Sequence, residues 1–160
     1  MRPLAAAAVM LAGAASAAPP PQLDMVQFFS GRTHAEGVLK IVLKRPAKMI
    51  VDSVGGRNAK GEFVLIDKVR QEGQPLRERR WVMRPAGPNR YTGTLSDAVG
   101  PVRIEVSGNA ATIDYVMKGG LNVHQRMELQ GDKRTLANHV TVRKLGMKFA
   151  RMEMTIHKLD

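Results

Sequence analysis

Strict alternation of apolar and polar residues is the feature that most constrains this chain, and it is clearest over residues 121–130. Every second residue there is apolar except Gln125, and the residues between them are polar. A period of two places apolar side chains on one face of a β-strand, whereas an amphipathic helix requires a period near 3.6. The segment is therefore predicted to be a half-buried strand.

The same alternation recurs along most of the chain. Further strands are predicted at residues 38–44, 48–54, 62–70, 76–84, 90–96, 102–106, 111–117 and 135–143. Glycine, proline, asparagine and aspartate separate them, so that turn chemistry recurs every eight to twelve residues or so, which is typical of an antiparallel sandwich or barrel. Before the strands, residues 23–29 predict one or two helical turns that end at Ser30-Gly31.

The last segment, residues 145–159, supports two interpretations. Leu145, Phe149, Met152, Ile156 and Leu159 have helical spacing, and propensity alone favours a helix. Ala150, Met152, Met154 and Ile156 have the spacing of a strand. Residue patterning leaves both open.

The first seventeen residues have the composition of a secretory signal peptide. Arg2 precedes an apolar stretch too short to span a bilayer, and Ala15-Ser16-Ala17 matches a small-residue cleavage site. We therefore expect residues 1–17 to be a cleaved leader, residues 18–22 a proline-rich joint, and residues 23–160 one β-barrel domain exported to the periplasm. The chain has no cysteine, which excludes disulfides, thiolate nucleophiles and zinc–thiolate sites.

A meander of nine or ten strands leaves two unpaired edges unless it closes into a barrel. A barrel of that size encloses either packed side chains or one small ligand. The alternation therefore predicts an all-β, up-and-down antiparallel barrel with a short N-terminal helix.

Several short motifs, taken in order and spacing, resemble a bacterial envelope family of unknown function, number 3833 in the domain-of-unknown-function series. They are Phe28-Phe29-Ser30-Gly31-Arg32-Thr33, Ala35-Glu36-Gly37, Arg79-Arg80-Trp81, Tyr91-Thr92-Gly93, Asp97-Ala98-Val99-Gly100, Gly108-Asn109-Ala110, Tyr115 and Lys144-Leu145-Gly146-Met147. The resemblance implies a lipocalin-like barrel in the cell envelope and no particular activity. It is also the main reason to assign residues 145–159 as a strand.

Two departures from the family pattern bear on function. Members often look like lipoproteins, but a chain without cysteine cannot be acylated in that way. The acidic and aromatic pattern expected before the last strands is replaced here by Gln125-Arg126-Met127-Glu128-Leu129.

Arg79 and Trp81 share one face of a predicted strand, so Arg79 is expected to be drawn partly inward, where an unpaired guanidinium is costly. Three outcomes are open: a salt bridge to Asp67 or Glu153, a counter-charge for a carboxylate or phosphate ligand, or a bulge that turns Arg79 to solvent.

Other inward-facing residues complete the candidate ligand site. Gln125 and Asn138 interrupt apolar faces and need hydrogen-bond partners, either each other or a bound molecule. Methionines such as Met154 provide an adaptable lining or simple core packing. The predicted ligand-binding residues are Arg79, Trp81, Tyr115, Gln125, Asn138 and Met154.

No catalytic, metal or cofactor motif is found, because the histidines are scattered and no serine lies in a nucleophile motif. We expect a protein that is not an enzyme and needs no cofactor. The enzymatic alternative is an isomerase or hydrolase in which a carboxylate and a histidine meet inside the barrel. Paired carboxylates are also open, because distant strands could bring Asp67, Asp114 and Glu153 together.

With 25 basic and 14 acidic residues, the chain favours anionic partners. Its basic residues are not interleaved with stacking aromatics, so nucleic acid is not expected. The main prediction is a monomeric periplasmic barrel that binds a fatty acid or similar lipid-like molecule. The alternative is a structural protein that docks on an anionic envelope surface, including a membrane.

Overall fold

The computed structural model describes residues 18–19 and 21–160, and the predicted signal peptide lies outside the described residues. One helix, α1 (Met25–Phe29), precedes ten strands. The strands are β1 (Gly31–Ile41), β2 (Ala47–Arg57), β3 (Phe63–Gln71), β4 (Arg77–Pro85), β5 (Arg90–Leu95), β6 (Ala98–Ser107), β7 (Ala110–Met117), β8 (Leu121–Leu129), β9 (Thr135–Lys144) and β10 (Met147–Lys158).

Each strand pairs antiparallel with the next, and β1 pairs with β10, which closes the sheet into a barrel. The predicted all-β, up-and-down barrel with a short N-terminal helix is confirmed. The final segment forms strand β10 rather than a helix. As a strand it pairs with both β1 and β9, and these pairings close the barrel.

Three predicted boundaries were wrong. β1 begins at Gly31 instead of residue 38, and its first inward residue, Thr33, is polar although buried. β2 continues through Gly55 and Gly56, beyond the predicted end at residue 54. β6 begins at Ala98 instead of residue 102, and its pairing is irregular between Val99 and Arg103. Glycine and polar residues concealed the alternation at each of these sites.

Helix α1 covers one end of the barrel. Asp24 caps it by accepting a hydrogen bond from the Gln27 amide at 2.9 Å, and Phe28 and Phe29 pack edge to face. At its C-terminal end, Lys158 Nζ donates to the carbonyl oxygen of Phe28 at 3.1 Å and to that of Ser30. The helix is therefore fixed both to the core and to the last strand.

The two ends of the barrel differ. The end covered by α1, here called the closed end, also carries the β2–β3, β4–β5, β6–β7 and β8–β9 connections. The opposite end, here called the mouth, is formed by the other five hairpin connections. No helix in the described part of the chain combines the length and apolar character needed to cross a membrane.

Candidate ligand-binding cavity

The barrel interior is hollow next to the closed end. A cavity of about 110 Å³ lies there, lined mainly by apolar side chains that include Met25 and Phe29 of α1 and Met127 and Met154 of the barrel wall. This volume exceeds the roughly 10–15 Å³ needed for one water molecule. The thioethers give the wall a polarizable and adaptable surface.

A second cavity, of about 220 Å³, opens toward the mouth. Leu39, Phe149 and Val142 line its outer part. The two cavities share five residues, which form the boundary between them: Met49, Arg77, Arg79, Gln125 and Met152. Two guanidinium groups therefore lie where an apolar interior meets the route to solvent.

Arg79 is drawn inward, with its side chain only 17% exposed. Its Nη2 donates to Asp97 Oδ1 at 3.1 Å and to the Tyr115 hydroxyl at 3.2 Å. Nε lies 2.9 Å from Asp97 Oδ2, but this buried N–H makes no hydrogen bond within the described residues. Burial opposes the charge, but Tyr115 and Asp97 outweigh that cost, so the pKa of Arg79 is raised and the side chain stays cationic.

Of the three outcomes open for Arg79, the salt bridge is present but its partner is Asp97. A bulge that turns Arg79 to solvent is absent, because β3 and β4 pair without a register shift around it. Neither Asp67 nor Glu153 forms an ion pair with it in the described structure, although Asp67 is its direct neighbour across the two strands.

Asp67 is instead held by two neutral donors. Ser53 Oγ donates to Oδ1 and Trp81 Nε1 donates to Oδ2, each at 2.7 Å. Burial raises the pKa of the Asp67 carboxyl, and the hydrogen bonds from Ser53 and Trp81 offset only part of that effect. The ionised form of this carboxyl is therefore disfavoured inside the barrel.

Aromatic and amide groups surround Arg79. The guanidinium carbon lies 5.3 Å from the centre of the Trp81 ring and 6.0 Å from that of Tyr115. The two rings meet edge to face, and Gln125 Nε2 donates to the Tyr115 hydroxyl at 3.0 Å. These contacts hold Arg79 in one orientation through cation–π and hydrogen-bonding interactions.

Asn138 presents an unpaired polar atom. Its side chain lines the cavity at the closed end, and its buried Oδ1 accepts no hydrogen bond from any described residue. Buried polar atoms are nearly always paired, so a water or ligand donor in the cavity is expected to occupy this position. The Gln125–Asn138 hydrogen bond left open by the sequence does not form, because Gln125 bonds to Tyr115.

All six predicted ligand-binding residues line one or both cavities. The prediction omitted Arg77, Ser53, Asp67 and Asp97 from the site. Asp67 was detectable, because it alternates in phase with Phe63, Leu65 and Val69 on the inner face of β3. Asp97 was not, because the sequence assigns it to a turn and does not give the β4–β5 register. That register pairs Trp81 with Leu95 and, continued by two residues, places Asp97 opposite Arg79.

The histidine and carboxylate pairs of the enzymatic alternative do not meet in the interior. His34 and His124 bind Asp52 and Asp114 on the outside of the barrel, at 2.6 and 2.7 Å. His139 and His157 are exposed, as is Glu153. No histidine among the described residues lines either cavity.

A closed antiparallel barrel with a helix over one end, a hollow apolar interior and a few fixed inward polar groups defines a lipocalin-like barrel protein. The chain belongs to the family described as Protein of unknown function (DUF3833), whose model matches residues 12–158. No curated protein matches the sequence at a significant level.

Three solved structures share the fold at low sequence identity. The S-type phycobiliprotein lyase CPES from Guillardia theta has a TM-score of 0.67 and 6% identity, over 84% of this chain and 90% of the lyase. A protein of unknown function from the DUF3598 family of Nostoc punctiforme has a TM-score of 0.64 and 12% identity, over 87% of this chain and 50% of that protein. Rv2717c from M. tuberculosis has a TM-score of 0.59 and 14% identity, over 83% of this chain and 94% of Rv2717c.

Proposed function

We propose that this protein binds a small lipophilic molecule with an anionic head group inside its barrel. The apolar part would occupy the methionine-lined cavity at the closed end, and the head group would lie at the boundary between the cavities, beside Arg77 and Arg79. The observation that carries the proposal is the inward Arg79, whose guanidinium lines both cavities beside a mainly apolar interior.

Arg77 supplies the second cation. Asp97 already neutralises part of the charge of Arg79, so one guanidinium alone would attract an anion weakly. Arg77 lines both cavities, and its guanidinium makes one hydrogen bond among the described residues, a long one of 3.4 Å to the neutral Gln71. A carboxylate between the two guanidinium groups would gain charge-assisted hydrogen bonds from both.

The fold comparisons are compatible with a binding function. The Guillardia theta neighbour is a phycobiliprotein lyase by its title, and its barrel covers nearly the same span. We propose that this chain acts as a non-catalytic binding protein, because its interior offers a carboxyl held by neutral donors and no adjacent histidine among the described residues.

We further propose that the protein is exported to the periplasm, on the basis of the leader-like residues 1–17. N-terminal sequencing of material from the periplasmic fraction tests this directly. A chain that begins near Ala18 is expected, and an intact Met1 would overturn the assignment.

Trp81 provides the assay for ligand binding, because it is the only tryptophan and lines the cavity at the closed end. Its fluorescence should change on titration with a saturated fatty acid, and less with the fatty alcohol of equal chain length. Arg79→Gln should weaken fatty-acid binding by about 10- to 100-fold, the value of a charge-assisted hydrogen bond, and leave alcohol binding nearly unchanged.

Arg80→Gln is the matched control, because Arg80 is the next residue along β4 and is exposed. It removes the same charge from the outer face and should leave both affinities unchanged. Native mass spectrometry of periplasmic material gives an independent measurement. A ligand-free mass, together with no fluorescence response to either lipid, would refute the proposed function.

A further inference from the structure

Two neighbouring turns at the mouth expose leucines in an unfavourable backbone conformation. Leu43, between β1 and β2, has φ 62° and is fully exposed. Leu145, between β9 and β10, has φ 50° and is 87% exposed. Left-handed backbone is strained for a residue with a Cβ, and neither exposed leucine offsets that strain by packing. Leu145 also precedes Gly146 in a hairpin turn where asparagine is the preferred first residue.

These turns belong to one apolar surface, here called the rim. The rim consists of Val42, Leu43, Leu145, Met147 and Phe149, all of them exposed. The Val42 amide donates to the Phe149 carbonyl oxygen at 3.0 Å, so the two turns lie side by side. Exposed apolar side chains gathered in adjoining turns are typical of surfaces that contact a partner protein or a membrane.

Cations surround the rim. The nine-residue segments 40–48 and 143–151 contain eight basic residues and no acidic one: Lys40, Lys44, Arg45, Lys48, Arg143, Lys144, Lys148 and Arg151. All eight are exposed, and none pairs with an acidic side chain in the part of the chain that the structure describes. Nearly a third of the 25 basic residues therefore lie in two adjoining hairpins.

Strand pairing places some of these cations directly opposite each other. Lys40 faces Arg151 between β1 and β10, and Arg143 faces Lys148 between β9 and β10. Like charges in such positions destabilise a sheet. A register shift between Lys148 and Ala150 brings Lys148 opposite Arg143, out of phase with the inward-facing Ala150. The outer groove between β1 and β10, lined by Lys40, Lys148 and Arg151, thus lacks a counter-charge.

We propose that the rim docks on an anionic phospholipid bilayer. A bilayer accepts both components of this surface, because apolar side chains enter the region below the head groups while lysines and arginines contact the phosphates. Like-charge pairs that destabilise the isolated protein would become favourable against phosphate. Phe149 belongs both to the rim and to the lining of the mouth cavity, so docking would face the mouth toward the membrane.

Co-sedimentation with vesicles tests the proposal. Wild-type protein should bind vesicles of equal parts phosphatidylglycerol and phosphatidylcholine, bind phosphatidylcholine vesicles weakly, and dissociate as salt is raised. The double variant Leu43→Asn, Leu145→Asn should lose roughly tenfold in affinity per leucine, an estimate for partial burial of each side chain. Lys40→Gln with Lys148→Gln should lose roughly fivefold per charge.

The asparagine variant separates docking from folding. Asparagine tolerates left-handed backbone better than leucine, so this variant should unfold at the same temperature as wild type or higher. It should also retain the Trp81 response to fatty acid, because neither leucine lines a cavity. Failure of docking is therefore distinguishable from failure of the proposed ligand function.

Matched controls lie at the closed end of the barrel. Lys60→Gln with Lys133→Gln removes the same charge there, and Leu159→Asn removes an exposed leucine. Both should bind anionic vesicles nearly as wild type does. The proposal is overturned if these controls lose as much affinity as the rim variants, or if the asparagine variant binds undiminished. It is also overturned if wild type does not bind anionic vesicles. A dimer that the asparagine variant cannot form would then assign the rim to contact between two copies of the chain.

Discussion

Arg79 forms its salt bridge with Asp97, in the turn between β5 and β6, and not with Asp67, which faces it directly across β3 and β4. Asp67 instead accepts hydrogen bonds from Ser53 and Trp81. The interior therefore separates a charged pair near the mouth from a carboxyl that neutral groups hold deeper in the barrel. This separation leaves Arg79 oriented toward the boundary between the two cavities.

Replacement of Asp97 by asparagine should destabilise the protein and strengthen anion binding. The variant keeps the side-chain shape but leaves Arg79 without a counter-charge. Breaking a buried ion pair costs about 3–5 kcal/mol, and partial exposure of this pair reduces the expected loss to about 1–2 kcal/mol. Urea unfolding measures the stability, and Trp81 fluorescence measures fatty-acid affinity, which should rise. Asp114→Asn, on the outer surface, should change stability by less than about 0.5 kcal/mol.

Asp67→Asn should change how stability depends on pH. Burial raises the pKa of Asp67 above its ordinary value of 3.8, so the folded state binds this proton more tightly than the unfolded state. Its contribution to stability is complete below pH 3.8 and is lost as pH rises through the raised pKa. Wild-type stability minus that of Asp67→Asn should therefore fall as pH increases. A difference independent of pH would contradict the assigned pKa direction.

His34 should produce a similar trend at higher pH. The hydrogen bond to Asp52, followed by the one to Glu36, raises the pKa of His34 above 6.5. Protonated His34 thus stabilises the fold below pH 6.5, and this contribution disappears as pH rises through the raised pKa. His34→Gln should remove the trend, with a maximum effect of about 1 kcal/mol because the group is substantially solvated. Thermal unfolding of both proteins across this range measures it, and His139→Gln is the control.

Gly55→Ala should displace α1 from the closed end. A Cβ at Gly55 would overlap the Phe29 carbonyl oxygen and lie 2.7 Å from Cζ of Phe63. Backbone cannot yield as a flexible side chain can, so we expect a loss of about 2–3 kcal/mol. The neighbouring Gly56 has open space at the same position, and Gly56→Ala should be nearly neutral. Equal urea midpoints for the two variants would contradict the proposed close contact.

The fold can be predicted from the sequence more completely than the site. Alternation is a property of each strand by itself, whereas the hydrogen-bond and ion-pair partners of a side chain lie on other strands. Period two identified the strands, and it also placed Arg79, Gln125 and Asn138 on inner faces. It did not reveal that Asp97 reaches Arg79, because that contact depends on the pairing register of β4 with β5, which alternation alone does not specify. Residue patterning also left residues 145–159 ambiguous, because their helical and strand spacings are equally regular. The pairing of β10 with both β1 and β9 makes the segment a strand.

The pairing of β1 with β10 has a consequence for biosynthesis. β1 can pair with β10 only after β10 has been synthesised. The C-terminal end of α1 likewise depends on a hydrogen bond from Lys158, in β10. The ring cannot be completed until translation has reached the end of the chain, and such distant pairings form slowly. The sheet of such a polypeptide therefore stays open along both edge strands during synthesis, and α1 lacks its anchor to Lys158 until the last strand has been made.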